Sequence, residues 1–438
     1  MNLRKEAYDI IFKVLKNHDY SDNLLRQKAR KIRQDGNESP SLLYNLVKGT
    51  IKYELHLDYI CRQFTDKDKF DKTDLKIKSL IYMGLYQLRF MSSIPDHAAV
   101  HETVELAKEL MGESVAGFVN SVLRHYQREP EITYPDSLEE RIAYEHSFPV
   151  ELIRTWLGLW GQEKTELLAM YFNEPSRLHL RVNTIDTDAV KLIHYFEKRN
   201  IRCTPSEASK NILICDSGYE VLDDVAFSEG YFSVQDTSAA LIVELLDPQP
   251  EEYVLDLFAA PGGKCTYIAE KMKNTGEVVA VDKSPAKMKL MKQAADRLQI
   301  NNIRMIVADA FKYGPVAPSY HRVLVDAPCS GWGVLGRKAD LRWQTHQNIA
   351  ELLKLQEKAL VYAANFVRKD GYLVYSTCTM NPAENEQMVE QFLKKNPGFR
   401  LVDAGNWINA AYVSNGMFAS VPFKHFMDGA FAAKMQKS

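Results

Sequence analysis

The chain has 438 residues, a formal net charge of −2, 46 % apolar and 26 % charged residues. Such a length asks for two or three cores, and the composition excludes a disordered, collagen-like or membrane-embedded chain. Near-neutral charge means that any nucleic-acid affinity must come from a local basic surface rather than from the whole-molecule field.

No apolar run reaches the length of a membrane span, and Met1-Asn2-Leu3-Arg4-Lys5-Glu6 carries no signal-peptide apolar region, so a cytoplasmic protein without membrane contact is expected. The six cysteines, 61, 203, 215, 265, 329 and 378, form no C-x-x-C pair or Cys/His cluster. Reduced thiols and no metal are expected from that scatter.

Residues 1–130 show helical spacing, as in Val100, Val104, Ala107 and Met111, and predict an all-α domain. Arg26, Lys28, Arg30, Lys31 and Arg33 form a basic helix, with 26, 30 and 33 near one face that is either solvated or in contact with RNA phosphate. Residues 131–228 begin as a Pro-rich connector and continue as a small α+β module, with strands at Leu178–Asn183 and Asn211–Cys215 around a helix at Thr187–Lys198.

Residues 229–438 alternate strand and helix as in an α/β doubly wound, Rossmann-like sheet. Strands are predicted at Val254–Leu257, Val278–Asp282, Arg304–Val307, Val323–Asp326 and Tyr372–Tyr375. The turn after the first, Phe258-Ala259-Ala260-Pro261-Gly262-Gly263-Lys264, has small residues that let a ligand approach the backbone. It fails the phosphate-loop pattern at Phe258 and Cys265 and lacks G-x-G-x-x-G, which disfavours a dinucleotide. Asp282 and Asp309 close the next two strands, where acids reach ribose hydroxyls and an adenine edge. Together these features point to S-adenosylmethionine, with Asp326 on the same rim.

Two cysteines each follow a buried-looking strand: Cys329 in Asp326-Ala327-Pro328-Cys329-Ser330-Gly331, and Cys378 in Ser376-Thr377-Cys378-Thr379. Carbon 5 of a pyrimidine is a poor nucleophile until a thiolate adds at carbon 6, so thiols beside a methyl donor suggest that chemistry. Asn381-Pro382-Ala383-Glu384 predicts a capped helix start just beyond Cys378, which favours its thiolate, whereas Gly331-Trp332-Gly333 reads as flexible loop. Cys378 is therefore the expected nucleophile, and a protonated Asp326 is placed to bond the ring N3 of cytosine. The interleaved Arg337, Lys338, Arg342 and Trp343 predict either an RNA-contact loop or a surface loop with one buried Trp.

Gln235-Asp236, Ala259 to Lys264, Asp326 to Gly331 and Thr377-Cys378 with Asn381-Pro382 resemble, in order and spacing, the catalytic motifs of the bacterial RsmB (Sun/Fmu) 16S ribosomal RNA cytosine-C5 methyltransferases. Ile94 to Val100 and Gly117 to Arg124 resemble that group's NusB-like RNA-binding domain, and Leu180 to Asn183 resemble its middle segment. The resemblance implies cofactor contacts from Phe258 to Lys264 and from Asp282, Asp309 and Asp326. It implies Cys378 as nucleophile and Cys329 as the residue that allows product release. It also implies 16S ribosomal RNA as partner; no DNA is expected, and the oligomeric state is open, with a monomer favoured. A tRNA target and a non-catalytic RNA-binding assembly factor are the alternatives.

Overall fold

The computed structural model describes every residue except 1, 18–19, 35–39, 217–220, 223, 315–318 and 345–347, and the side chains of 23, 30, 33, 34 and 344. The Arg30 and Arg33 side chains of the expected basic face thus lie outside the described residues. Two compact units are formed: residues 1–174 with 335–345, and residues 175–334 with 346–438. Leu138–His146 and Val150–Asn173, beyond the expected break at 130, belong to the first unit: the two helices pack together, and Leu138–His146 packs onto Glu54–Phe64.

The first unit is helical and is built around Leu75–Phe90, which is apolar on nearly all sides and buries Leu80, Ile81, Met83 and Leu85. Asp74 caps its start by accepting a hydrogen bond from the Lys76 amide at 2.8 Å. Helices Leu3–Asn17, Ser41–Lys52, Asp96–Met111 and Glu113–Arg128 surround it. The crossing with Ser41–Lys52 requires Gly49, since a Cβ there would lie 1.8 Å from the Tyr86 ring. The predicted stripe is in the core: Val100 and Ala107 are buried, with Val104 and Met111 packed against them.

Residues 335–345 complete this unit through Arg342, which is fully buried. Its guanidinium donates to the carbonyls of Lys52 at 3.2 Å, His146 at 3.4 Å, Ser147 at 3.2 Å and Phe172 at 3.0 Å, and to Asn173 Oδ1 at 2.9 Å. These groups lie at the carboxyl ends of three helices, where unsatisfied carbonyls and the helix dipoles favour a cation. The guanidinium also stands 3.9 Å from the centre of the Phe148 ring. Burial lowers its pKa to about 9, while Tyr53 acts in the opposite sense. Trp343 Nε1 donates to the Ile51 carbonyl at 3.4 Å. The RNA-contact reading of this segment is therefore corrected for Arg342 and Trp343, whose hydrogen-bonding groups are used inside the helical unit.

The second unit holds two sheets. In the smaller, β1 (Leu178–Val182), β2 (Cys203–Pro205), β3 (Ile212–Cys215) and β4 (Phe232–Val234) lie in the order β2-β3-β1-β4, all antiparallel. Cys203 and Cys215 are cross-strand partners 4.1 Å apart at Cα, and their sulfurs are bonded. This corrects the expectation of six reduced thiols. Residues 12 apart in sequence became opposite neighbours through the β2–β3 hairpin, whose register the spacing did not reveal.

The larger sheet contains β5 (Tyr253–Leu257), β6 (Glu277–Asp282), β7 (Ile303–Val307), β8 (Tyr320–Asp326), β9 (Val367–Thr377), β10 (Phe399–Val402), β11 (Val413–Ser414), β12 (Met417–Ala419) and β13 (Phe431–Lys437). Its order is β11-β12-β13-β9-β8-β5-β6-β7, with β10 beside β13. Strands β5 to β9 are parallel, and β13 is antiparallel to β9. The parallel strands are apolar on both faces, as a doubly covered sheet demands. The strand order reverses direction at β5, with β6 on one side and β8 on the other, which opens a ligand crevice at their carboxyl ends.

Candidate active site

Parallel pairing sets Leu257 beside Val281 and Val325, and Asp326 beside Ser376. The Phe258–Lys264 turn, Asp282, Asp326, Cys329 and Cys378 thereby share one end of the sheet.

The turn is held from below. Gly262 has φ 102°, and a Cβ on it would lie 2.4 Å from Met291 Cγ, so only glycine fits. Phe258 also has a positive φ of 65°, and its ring meets Phe311 edge-on at 6.1 Å. Asp282 does not simply face outward: it accepts from the Ala260 amide at 3.2 Å and the Ser284 amide at 2.8 Å. Asp309 is exposed and caps a short 3-10 turn by accepting from the Phe311 amide at 3.1 Å.

Beneath the turn, fully buried Arg181 of β1 donates to the Gly263 carbonyl at 2.8 Å and to Thr266 Oγ1 at 3.2 Å, and pairs with Glu270 at 3.2 Å. It also donates to Gln235 Oε1, which fixes the orientation of that amide. Gln235 Nε2 is buried without a hydrogen-bond partner, 3.8 Å from the position of a Cβ on Gly263. Asp256, in the middle of β5, likewise has both carboxylate oxygens unpartnered. Burial first, then nearby Asp326, raises its pKa well above the usual carboxylate range, with Lys264 opposing. A buried donor and a buried acid without partners under a small-residue turn fit a polar ligand. Sequence reasoning assigned no role to Asp256, although an acid inside an apolar strand was a visible signal.

Lys264 Nζ donates to Asp326 Oδ2 at 2.7 Å, and Ser376 Oγ donates to Asp326 Oδ1 at 2.8 Å. Both Asp326 oxygens are acceptors here, so the geometry favours a carboxylate that accepts from a ligand's N–H over the protonated donor expected from sequence. Burial would lower the pKa of Lys264, but Asp326 and then Cys378 outweigh it and raise the net value.

Cys329 Sγ and Cys378 Sγ are 3.3 Å apart, and the Cys378 amide donates to Cys329 Sγ at 3.3 Å. The hydrogen bond with Cys378 first, then burial, push the Cys329 thiol well up, and the charge of Glu384 adds to this. Cys329 is thus harder to deprotonate than an ordinary thiol.

Two local expectations are revised. The α-helix after Cys378 is Glu386–Lys395, preceded by a turn over 382–385, so Cys378 does not abut a helix start. Asn381 does accept from the Ala383 amide at 3.2 Å, but the Glu384 carboxylate turns to the Ser330 amide at 2.9 Å instead of completing a capping box. Gly331-Trp332-Gly333 is no flexible loop either: Trp332–Val334 is a buried 3-10 turn, and the Gly333 amide donates to the Cys378 carbonyl at 3.0 Å. Gly333 and Gly429 cross so closely that a Cβ on Gly333 would lie 1.8 Å from the Gly429 carbonyl oxygen.

Comparison with known proteins decides the family. Residues 243–436 match the family of 16S rRNA methyltransferase RsmB/F, and residues 1–128 match the NusB family. The probable ribosomal RNA small subunit methyltransferase B of Bacillus subtilis (strain 168) is 35 % identical, over 100 % of this chain and 99 % of that one. The chain belongs to the ribosomal RNA small subunit methyltransferase B family. A second member, from Vibrio cholerae serotype O1, is 31 % identical over 100 % of this chain and 98 % of its own length. The crystal structure of PH0851 superposes with a TM-score of 0.83 at 26 % identity, covering 99 % of both chains. That of NSun6 from Pyrococcus horikoshii, at 24 % identity and a TM-score of 0.59, covers 67 % of this chain and shares the fold.

As a family member the chain is an S-adenosylmethionine-dependent ribosomal RNA methyltransferase with a NusB-like helical domain and a Rossmann-like catalytic domain. Among the described residues no cluster of three or more His, Cys, Asp or Glu side chains could hold a metal ion, and no helix is long and apolar enough to cross a membrane.

Proposed function

We propose that the protein methylates carbon 5 of a cytosine in 16S ribosomal RNA through a covalent bond between Cys378 and carbon 6. The observation that carries this is the pair of sulfurs 3.3 Å apart at the end of the sheet that also holds Asp326 and the Phe258–Lys264 turn. The Cys378 thiolate adds to carbon 6 and makes carbon 5 nucleophilic. S-adenosylmethionine supplies the electrophilic methyl group. Its place is formed by Phe258, Ala259, Ala260, Pro261, Gly262, Gly263, Lys264, Asp282, Asp309 and Asp326. Asp326, held by Lys264 and Ser376, accepts from the exocyclic amine of the base. A base then takes the carbon-5 proton and the Cys378–carbon 6 bond breaks to return the thiolate, a release that Cys329, 3.3 Å from Cys378, assists. Residues 1–130 contribute RNA contacts, and the work is done in the cytoplasm.

Bisulfite sequencing of total RNA from a deletion strain tests the target. Loss of one 16S cytosine mark is expected; an intact ribosomal pattern with a lost tRNA mark would overturn it. For the chemistry, Cys329→Ala should accumulate a protein–RNA adduct on denaturing gels and Cys378→Ala should form none. The reverse pattern would exchange the two roles.

A further inference from the structure

Glu384 is buried with no exposed surface, yet the reaction as written does not use it. Its Oε2 accepts from the Ser330 amide at 2.9 Å and from Gln356 Nε2 at 2.8 Å, and its Oε1 accepts from Asn381 Nδ2 at 3.0 Å. Ser330 directly follows Cys329, and Asn381 lies three residues beyond Cys378. Gln356, on the helix Ile349–Ala364, also donates to the Pro328 carbonyl at 2.9 Å, so it holds the residue before Cys329 while Glu384 holds the residue after it.

We infer that Glu384 is a positioning residue for both cysteines, a buried carboxylate that ties the two cysteine loops together and so sets the gap between the sulfurs. Other contacts support the same junction. Ser330 Oγ and Thr379 Oγ1 are 2.7 Å apart, and the Tyr375 hydroxyl donates to the Glu384 carbonyl at 2.7 Å. Glu384 accepts through both carboxylate oxygens at once, and hydrogen bonds to an ionised group are roughly twice as strong as neutral ones. A carboxylate buried among amide donors keeps its geometry only while every donor stays in place, so the loops and the acid hold one another.

The inference rests on the proposed function for which step slows, but its central measurement needs no RNA. Glu384→Gln replaces one acceptor by a donor facing Asn381 Nδ2, which breaks the tie while preserving shape. Asn381→Asp in the same chain restores a donor–acceptor pair across the contact and returns the single negative charge, while keeping an acceptor for the Ala383 amide.

Iodoacetamide labelling of Cys329 and Cys378, read by peptide mass spectrometry, and steady-state methylation are compared in wild type, E384Q and N381D/E384Q. E384Q should change the ratio of labelling at the two thiols by about tenfold and lower kcat by about tenfold or more, with KM for S-adenosylmethionine little changed, as for loss of one charge-assisted hydrogen bond. The double variant should regain most of both. Wild-type labelling and kcat in E384Q would overturn the inference, and so would failure of the double variant to recover, whatever the cause. Should the wild type make no 5-methylcytosine, the proposed function falls while the labelling comparison still judges Glu384.

Discussion

Arg342 in the helical unit and Arg181 in the catalytic unit are both fully buried, but their charges are met in different ways. Arg181 has a carboxylate opposite, Glu270 at 3.2 Å, and another of its donors holds the Gly263 carbonyl of the Phe258–Lys264 turn. Arg342 is met by helix-end carbonyls and one side-chain amide oxygen spread over three helices. One cation is balanced by a charge and the other by partial charges, so they should respond differently to removal. Burial lowers the pKa of both.

The largest effect is expected for Arg181→Met, which leaves the Glu270 carboxylate buried without its cation and should cost about 3–5 kcal/mol. Urea unfolding would measure it, with KM for S-adenosylmethionine rising as the Gly263 carbonyl is released. Arg342→Met leaves no orphaned charge, only carbonyls that lose a donor, and should cost about 2–3 kcal/mol. Hydrogen exchange of the helix ends near 52, 146 and 172 would localise that loss to the helical unit.

A third test compares the helical unit with itself at two pH values. His56 is buried and its pKa is lowered to about 4, chiefly by burial. A depressed folded-state pKa means that the contribution of His56 is present above about 6.5 and lost as pH falls through about 4. Relative to His56→Asn, the wild type should therefore lose about 2 kcal/mol across that window. A constant difference between the two proteins would refute it. The smallest change is expected from adding Glu270→Met to Arg181→Met, which removes the orphaned charge and should recover about 1–2 kcal/mol of the loss, while the Gly263 carbonyl, Gln235 Oε1 and Thr184 amide still lack partners. No second substitution should rescue Arg342→Met in this way, and finding one would erase the distinction between the two sites.

Much of the catalytic sheet was legible because parallel strands buried on both faces read as short apolar runs. The predicted strands at 254–257, 278–282, 304–307 and 323–326 fall within β5 to β8 with at most a few residues' difference at their starts. The acids at strand ends were legible for the same reason, since the period places them. What stayed hidden depends on contacts distant in sequence. Glu384 looked like a local helix cap because its nearest sequence neighbours fit that pattern, yet two of its donors lie 54 and 28 residues away. Arg342 looked like a surface cation because nothing local reveals helix ends waiting for a donor. The Cys203–Cys215 pair needed the register of a hairpin with no distinctive turn signal.

Arg342 and the Lys52 carbonyl that it caps are 290 residues apart in the chain. During synthesis the helices up to Asn173 therefore emerge well before the residue that joins three of their ends, and these carbonyls must remain hydrated or unpaired in the interval. A fragment cut at residue 130 or 174 would keep that unfinished condition permanently. The last step in building the amino-terminal unit is delivered by the connection between β8 and the helix Ile349–Ala364, so its maturation waits on the translation of the methyltransferase half.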